Sequence, residues 1–501
     1  MCRAAVSRNC ARHGTGKFTR FAHATMKTSQ LGLIILVTTS LSVRLPGEDH
    51  VFGKVEQTIQ DRTRKTVHWE KDQTARMQTL DQVRRLLRGP VTIDAAVQVA
   101  LLNNQSLQAI FEEVGLSAAD LHEAETIPNP SFSVSGRFPD KPPSGTDVEY
   151  NAAIDVLNIL MIPLKRRVAK EQLEAAIRKV GDETLNLIAE VKIAYYRLQA
   201  SQELLERFKQ ANDANAAALD LAQGQHDAGN INDLAFAQQQ LAASKGRLAV
   251  ALAEADIGRD REKLNSLMGL WGPDTNWQIT ATLPPIPSTD LSRGGLERLA
   301  VNQRLDLQAA YIRVAALAKA LGLTRDFRLL GALDFGVDSE RESDSQTITG
   351  PTFAIELPIF NQGQARIARS EAAFRQAQKS FEALVVDVRS QVRELVDELD
   401  SKWVVARFYK QDLLPNEQRI VNQSILNLNA MVISNFELFA AKTEELRTER
   451  EYIDAEKDYW ITRAELERAV GGSLSSLDQK ENQRHGSAGD AAAVAAGTKE
   501  N

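Results

Sequence analysis

The side chains able to do chemistry are few and scattered. The seven histidines, His13, His23, His50, His68, His122, His226 and His485, include no two within four residues of each other. A zinc-type site draws its ligands from short, repeated spacings, and none is present. Cys2 and Cys10 both fall in the first ten residues, which excludes a disulfide scaffold and any thiolate metal centre. Gly14-Thr15-Gly16-Lys17 has the look of a phosphate loop but has no strand pattern before it and lies in a leader. No nucleophile elbow or supported pair of carboxylates occurs, and His122 and His226 read as structural. We therefore expect no enzyme, no metal site and no cofactor. With 60 Lys+Arg against 66 Asp+Glu in 501 residues, the net charge of −6 also leaves no basic footprint for nucleic acid.

The positioning elements are more informative. The first 25 residues carry Arg3, Arg8, Arg12, Lys17 and Arg20 and no acid. Next come an apolar run from Leu31 to Val37 and then Ser40-Leu41-Ser42. A basic region, a short apolar region and a small-x-small site describe an export signal, with Met26 as the natural start and cleavage near Ser42. No run of 18 apolar residues exists, so no helical membrane span is expected.

The rest reads as a duplication. Ala100, Leu107-Gln108-Ala109 and Phe111 return as Ala300, Leu307-Gln308-Ala309 and Tyr311 at an offset of 200, and Leu267-Met268-Gly269 aligns with Ala469-Val470-Gly471 at 202. After Pro128 and Pro130 the apolar period drops from 3.6 to 2. Phe132 and Val134, then Tyr150 and Ile154, alternate with polar residues, and Phe335, Val337, Phe353 and Ile355 do the same in the second half. Each hairpin's strands approach the length that crosses a bilayer when tilted, although alternation alone suits a soluble hairpin better.

The long segment after each hairpin decides between these readings. A proline-free stretch from Leu164, divided near Gly229, and a second from Ala365 to Leu414, resuming after Pro415 and divided near Met431–Phe436, read as long helices, the first rich in Ala, Leu, Gln, Glu, Lys and Arg. Helices of this length imply a coiled coil or a tube, here expected to reach about 80–90 Å. Four strands cannot close a membrane barrel, because lipid leaves their edges unsatisfied. Twelve can, so the pattern calls for three copies.

The motifs carry a resemblance. Val91-Thr-Ile-Asp-Ala-Ala-Val-Gln-Val-Ala-Leu-Leu-Asn-Asn104, Ile127-Pro-Asn-Pro130 and Glu356-Leu-Pro-Ile-Phe-Asn-Gln-Gly363 resemble the TolC-like outer-membrane efflux family. The Gly53–Trp69 segment is most similar to its heavy-metal branch. The resemblance implies a mostly α fold with a β membrane part: a homotrimer with a twelve-stranded β-barrel in outer-membrane lipid and a periplasmic α-helical barrel. It further implies an exit duct for small solutes or metal ions, fed by an inner-membrane pump through a periplasmic adaptor. The adaptor would dock at the helical tips, Gly229, Asn230, Ile231 and Asn232 with Met431, Ile433, Ser434 and Asn435. A ring of acids closes the tunnel in many relatives, which points to Glu437 and Asp233 as a gate. Two departures stand out. Ala440 replaces the second acid of the usual pair, and Val43 occupies the neighbourhood of the lipidated Cys, so no lipid anchor is expected.

The expected division is a leader over 1–42, a periplasmic segment over 43–90, and a first repeat over 91–285 with a hairpin at 131–157 and long helices at 164–270. A second repeat over 286–472 has its hairpin at 328–358 and helices at 365–471, and 473–501 forms a disordered tail. The competing reading is a periplasmic coiled-coil adaptor or scaffold without a barrel.

Overall fold

A computed structural model describes residues 48–474, apart from 139, 141–144, 281, 289–293, 330, 332 and 343–345. The export signal, His13, His23, His485 and nearly all of the expected tail lie outside the described residues.

Two short helices, α1 (Glu48–Thr63) and α2 (Gln73–Leu86), precede the first repeat. That repeat then runs α3 (Ile93–Asn103), α4 (Gln105–Glu125), β1 (Ser131–Arg137), β2 (Asp147–Asp155), α5 (Val156–Asp227) and α6 (Asp233–Met268). The second runs α7 (Leu296–Gln303), α8 (Leu305–Asp326), β3 (Leu333–Arg341), β4 (Thr347–Ile355), α9 (Gln364–Phe408), α10 (Leu414–Asn429) and α11 (Asn435–Val470). The described strands form one antiparallel sheet in the order β1-β2-β3-β4, leaving β1 and β4 as edges.

The helices start and stop where the sequence supplies caps. Thr92, Asn104 and Asn232 each accept a backbone N–H from the first turn of the next helix, and Asp155 does the same for α5, directly after β2. Because of that cap α5 begins at Val156 and carries Pro163 inside it, not before it as the sequence suggested. The proline removes one donor, the partner of the Ile159 carbonyl, and the helix continues past it. At 72 residues α5 is about 108 Å long, beyond the expected 80–90 Å for the same reason. In the second repeat Pro415 does not break the helix either. A π-helical turn, Tyr409–Leu413, widens the backbone just before it and joins α9 to α10.

The apolar core gathers where the repeats' short helices pack on the long ones. In the first repeat Phe52 of α1 meets Trp69 and Phe111 at ring distances of 5.4 and 5.1 Å, above Leu101, Ile177, Leu198 and Met268. Phe52, Val55, Ile59, Val67, Trp69 and Val83, from the stretch read in the sequence as a periplasmic segment, thus belong to this core. A second cluster holds Leu307, Val388, Val392, Tyr459, Leu466 and Val470. Each repeat closes alike. The left-handed glycine ending its last helix, Gly269 (φ +65°) or Gly471 (φ +85°), rests on the junction of its two short helices. A Cβ on Gly269 would stand 2.5 Å from the Asn103 carbonyl oxygen, while the Asn103 amide donates to the carbonyls of Met268 and Gly269 at 2.9 and 2.7 Å.

Where the repeats meet, charge is buried. Arg304 clasps Asp306 at 2.7 Å and donates to Gln391 at 2.8 Å. Beside them, burial above all, together with the Asp306 charge, pushes the Asp182 carboxyl from its ordinary 3.8 up to about 6, against the pull of Arg304 and Arg468. A carboxyl with a raised folded-state pKa contributes stability that is fully present below its unfolded value and is lost as pH rises through about 6. We predict that Asp182→Asn raises the thermal midpoint at pH 8, by roughly 1–2 kcal/mol of stability, and leaves it unchanged at pH 4. Melting curves at the two pH values check this.

Candidate functional site

Two features stand apart from the core: the helix-to-helix tips and the sheet. The first tip closes α5 with three backbone bonds, from Ala228 N to Gly224 O, Gly229 N to His226 O and Asn230 N to Gln225 O, at 3.2, 2.9 and 2.8 Å. The second repeats them 202 residues on, from Ala430 to Leu426, Met431 to Leu428 and Val432 to Asn427, at 3.1, 2.9 and 2.9 Å. Both turns pass through a left-handed residue, Gly229 at φ +74° and Met431 at φ +57°. Glycine adopts that conformation freely, whereas for methionine it costs about 1 kcal/mol. The strained Met431 is also 93% exposed, and Val432 beside it is exposed too. Of the other expected tip residues, Asn230, Asn232, Ser434 and Asn435 are exposed while Ile231 and Ile433 are half-buried.

Both expected gate carboxylates take part in the tips' own structure. Glu437 accepts from Ser434 N at 2.7 Å while Ser434 Oγ accepts from Glu437 N at 3.3 Å, a capping box that starts α11. Asp233 is fully exposed at its side chain, and its Oδ1 lies 2.8 Å from His226 Nε2. The His226 ring stacks on Phe236 at 4.8 Å, so it ties the end of α5 to the start of α6. The Ser434-x-x-Glu437 spacing announces the capping box in the sequence. The His226 clamp has no such signal, because its partners meet only once the turn has formed.

The sheet has two unlike faces. Its register sets Val134 opposite Tyr150, Ile154 opposite Phe335, and Phe335 opposite Phe353. Phe132 and Val337 share this apolar face through Ala152, and Ile355 joins it opposite Leu333. It is not covered: Phe132 and Phe353 are 69% and 64% exposed. The other face carries Ser133, Asn151, Asp338 and Arg137, the last bridged to Glu149 at 3.0 Å and Glu340 at 3.6 Å. Apolar on one face and polar on the other is how a barrel strand divides lipid from water. Among the described residues no cluster of His, Cys, Asp and Glu could hold a metal, and no helix is long and apolar enough to cross a membrane.

Residues 96–270 match the protein family described as outer membrane efflux protein. The likeness is to outer membrane efflux proteins. The resemblance read from the motifs is borne out, and the barrel-less scaffold is not favoured. The chain is 22% identical over 399 residues to the cobalt-zinc-cadmium resistance protein CzcC of Cupriavidus metallidurans, spanning 76% of this chain and 90% of that one. Its fold is similar to that of CusC, with TM-score 0.64 at 17% identity over 78% of this chain and 94% of CusC. It is also similar to the CmeC outer membrane channel of Campylobacter jejuni, with TM-score 0.66 at 15% identity over 78% and 89% of the two chains.

The tip geometry gives a direct test. Met431→Gly should keep the turn and relieve the left-handed strain, raising stability by up to about 1 kcal/mol. Denaturation of the purified variant beside the parent protein reads this, and a drop in stability would contradict the strain.

Proposed function

We propose that this chain is the outer-membrane exit duct of a tripartite efflux system, assembled as a homotrimer. The observation that carries the reading is a sheet with two unpaired edges and one exposed apolar face. In lipid such edges are untenable, and three copies joining β4 of one to β1 of the next close twelve strands. The helices support the same closure. On α6, Leu234, Leu241 and Leu248 recur every seven residues and are all exposed, as are Val386, Val404 and Phe408 on α9. Neighbouring copies would cover these stripes as α5 and α11 cover each other's within one chain.

On this reading Phe132, Val134, Tyr150, Ile154, Phe335, Val337, Phe353 and Ile355 face lipid, and the polar face lines a water-filled lumen. Residues 91–285 and 286–472 are the two repeats, each placing one hairpin in the barrel and one helix pair in the periplasmic tube. The tips receive a periplasmic adaptor, which couples the duct to an inner-membrane pump. The cargo is small solutes or metal ions, selected upstream. Glu437 and Asp233 ring the tunnel mouth, where like charges in threefold array attract cations. Their hydrogen bonds within the tips hold these carboxylates in place.

Fractionation with unheated gels tests the assembly. The protein should leave the outer membrane only with detergent and migrate as a trimer that heat dissociates. A monomer in the soluble periplasmic fraction refutes the duct. The gate has its own measurement. Glu437→Gln keeps a residue able to complete the capping box while removing the charge. In planar bilayers it should weaken cation block severalfold, and unchanged block and conductance would remove Glu437 from the gate.

A further inference from the structure

A cleft of about 730 Å³ opens between the end of α1, the first turns of α3, the middle of α5 and the end of α11. Its floor is apolar, with Val97, Leu185 and Ile188 buried beneath it. Its rim carries five cations, Arg62, Arg64, Lys65, Lys192 and Arg468, against the carboxylates of Asp61, Asp94 and Glu467. The lysines are matched, Lys65 to Asp94 and Lys192 to Glu467, each at 2.5 Å. The arginines make no direct ion pair among the described residues, and the Asp182 carboxyl is the acid whose charge acts on both Arg62 and Arg468. Arg62 donates to the Gly471 carbonyl at 2.7 Å and Arg468 to the Asn186 side chain, while the Arg64 side chain bonds to no described residue.

Burial above all, and then the charge of Arg178, hold the Arg62 guanidinium below its ordinary value, while the Asp182 charge pulls the other way. The buried Nε of Arg178 has no acceptor among the described residues. Arg64 follows the end of α1 at φ +57°, its N–H bonded to the Gln60 carbonyl at 2.8 Å, and it lines the cleft from there. Tyr196 completes the wall, its ring stacked on Trp460 at 5.5 Å.

We propose that this cleft binds an organic anion: a carboxylate or phosphate carried on an apolar body. Guanidinium groups pair with such oxyanions through several donors at once, and the floor takes the apolar body. A bilayer headgroup is not the source. Leu185 lies about 43 Å along α5 from the end of β2, too far for the edge of the membrane to reach. The ligand is therefore a dissolved molecule and, on the proposed function, one of the periplasm.

Titration calorimetry on the full chain, purified in detergent as its native assembly, tests this with three probes. Phenyl phosphate carries both charge and body, inorganic phosphate only the charge, and benzyl alcohol only the body. Saturable binding of phenyl phosphate is expected, at least about tenfold tighter than inorganic phosphate, with none for benzyl alcohol. Arg64→Gln should weaken phenyl phosphate about tenfold. Because that side chain is exposed and unpaired, the assembly should be unaffected. No saturable binding, equal binding of the two phosphates, or an Arg64→Gln variant that binds as the parent does would each overturn the proposal. None of these outcomes bears on whether the protein is a duct, which the gels decide separately.

Discussion

A β-strand at the edge of a sheet carries a row of backbone donors and acceptors, and water can satisfy them whereas hydrocarbon cannot. The four-stranded sheet has two such edges, β1 and β4, and an apolar face that only lipid or protein would welcome. Everything else in the chain answers that constraint. One hairpin comes from each repeat, so a single chain contributes half of its strands from each copy of an ancestral unit. The long helices run far from the sheet, and their exposed stripes, like the strand edges, have no neighbour among the described residues. On the proposed reading, strand closure and tube closure are one event.

Stability is concentrated between these two exposed ends. The edge strands β1 and β4 bury almost nothing within one chain, and the tips are held by local hydrogen bonds. The cores sit where the short helices clamp the long ones, with Gly269 and Gly471 tucked against the short-helix junctions, Gly269 at a distance no larger residue permits. A dense middle with sparsely packed extremities suits a molecule whose two ends are both completed by other proteins or by lipid.

The sequence shows the duplication, the hairpins and the tips plainly, because each rests on a local signal. Proline ends the α4 extension at Pro128, alternation marks Phe132 and Val134, and glycine marks the turn at Gly229. It misleads where a local signal is overridden. Pro163 and Pro415 both sit inside helices, the first tolerated behind the Asp155 cap and the second behind a widened turn. Other features arise only from contacts between distant segments. The cations around the cleft include Arg62 of α1, Lys192 of α5 and Arg468 of α11, and no spacing along the chain brings Arg62 beside Gly471. Phe52 and Trp69 likewise join the first core from a stretch that reads as a separate segment.

The π turn at Tyr409–Leu413 has a consequence for how such a chain tolerates change. The offset between the repeats is 200 residues at Arg366 and 202 at the second tip, so the second long helix has gained length relative to the first. One residue added to a continuous α-helix rotates everything after it by about 100°, turning buried faces outward. Carried as a single wide turn, one of the two extra residues rotates nothing downstream. The π turn thus takes up part of the difference in length, and the Met431 turn still matches its counterpart bond for bond.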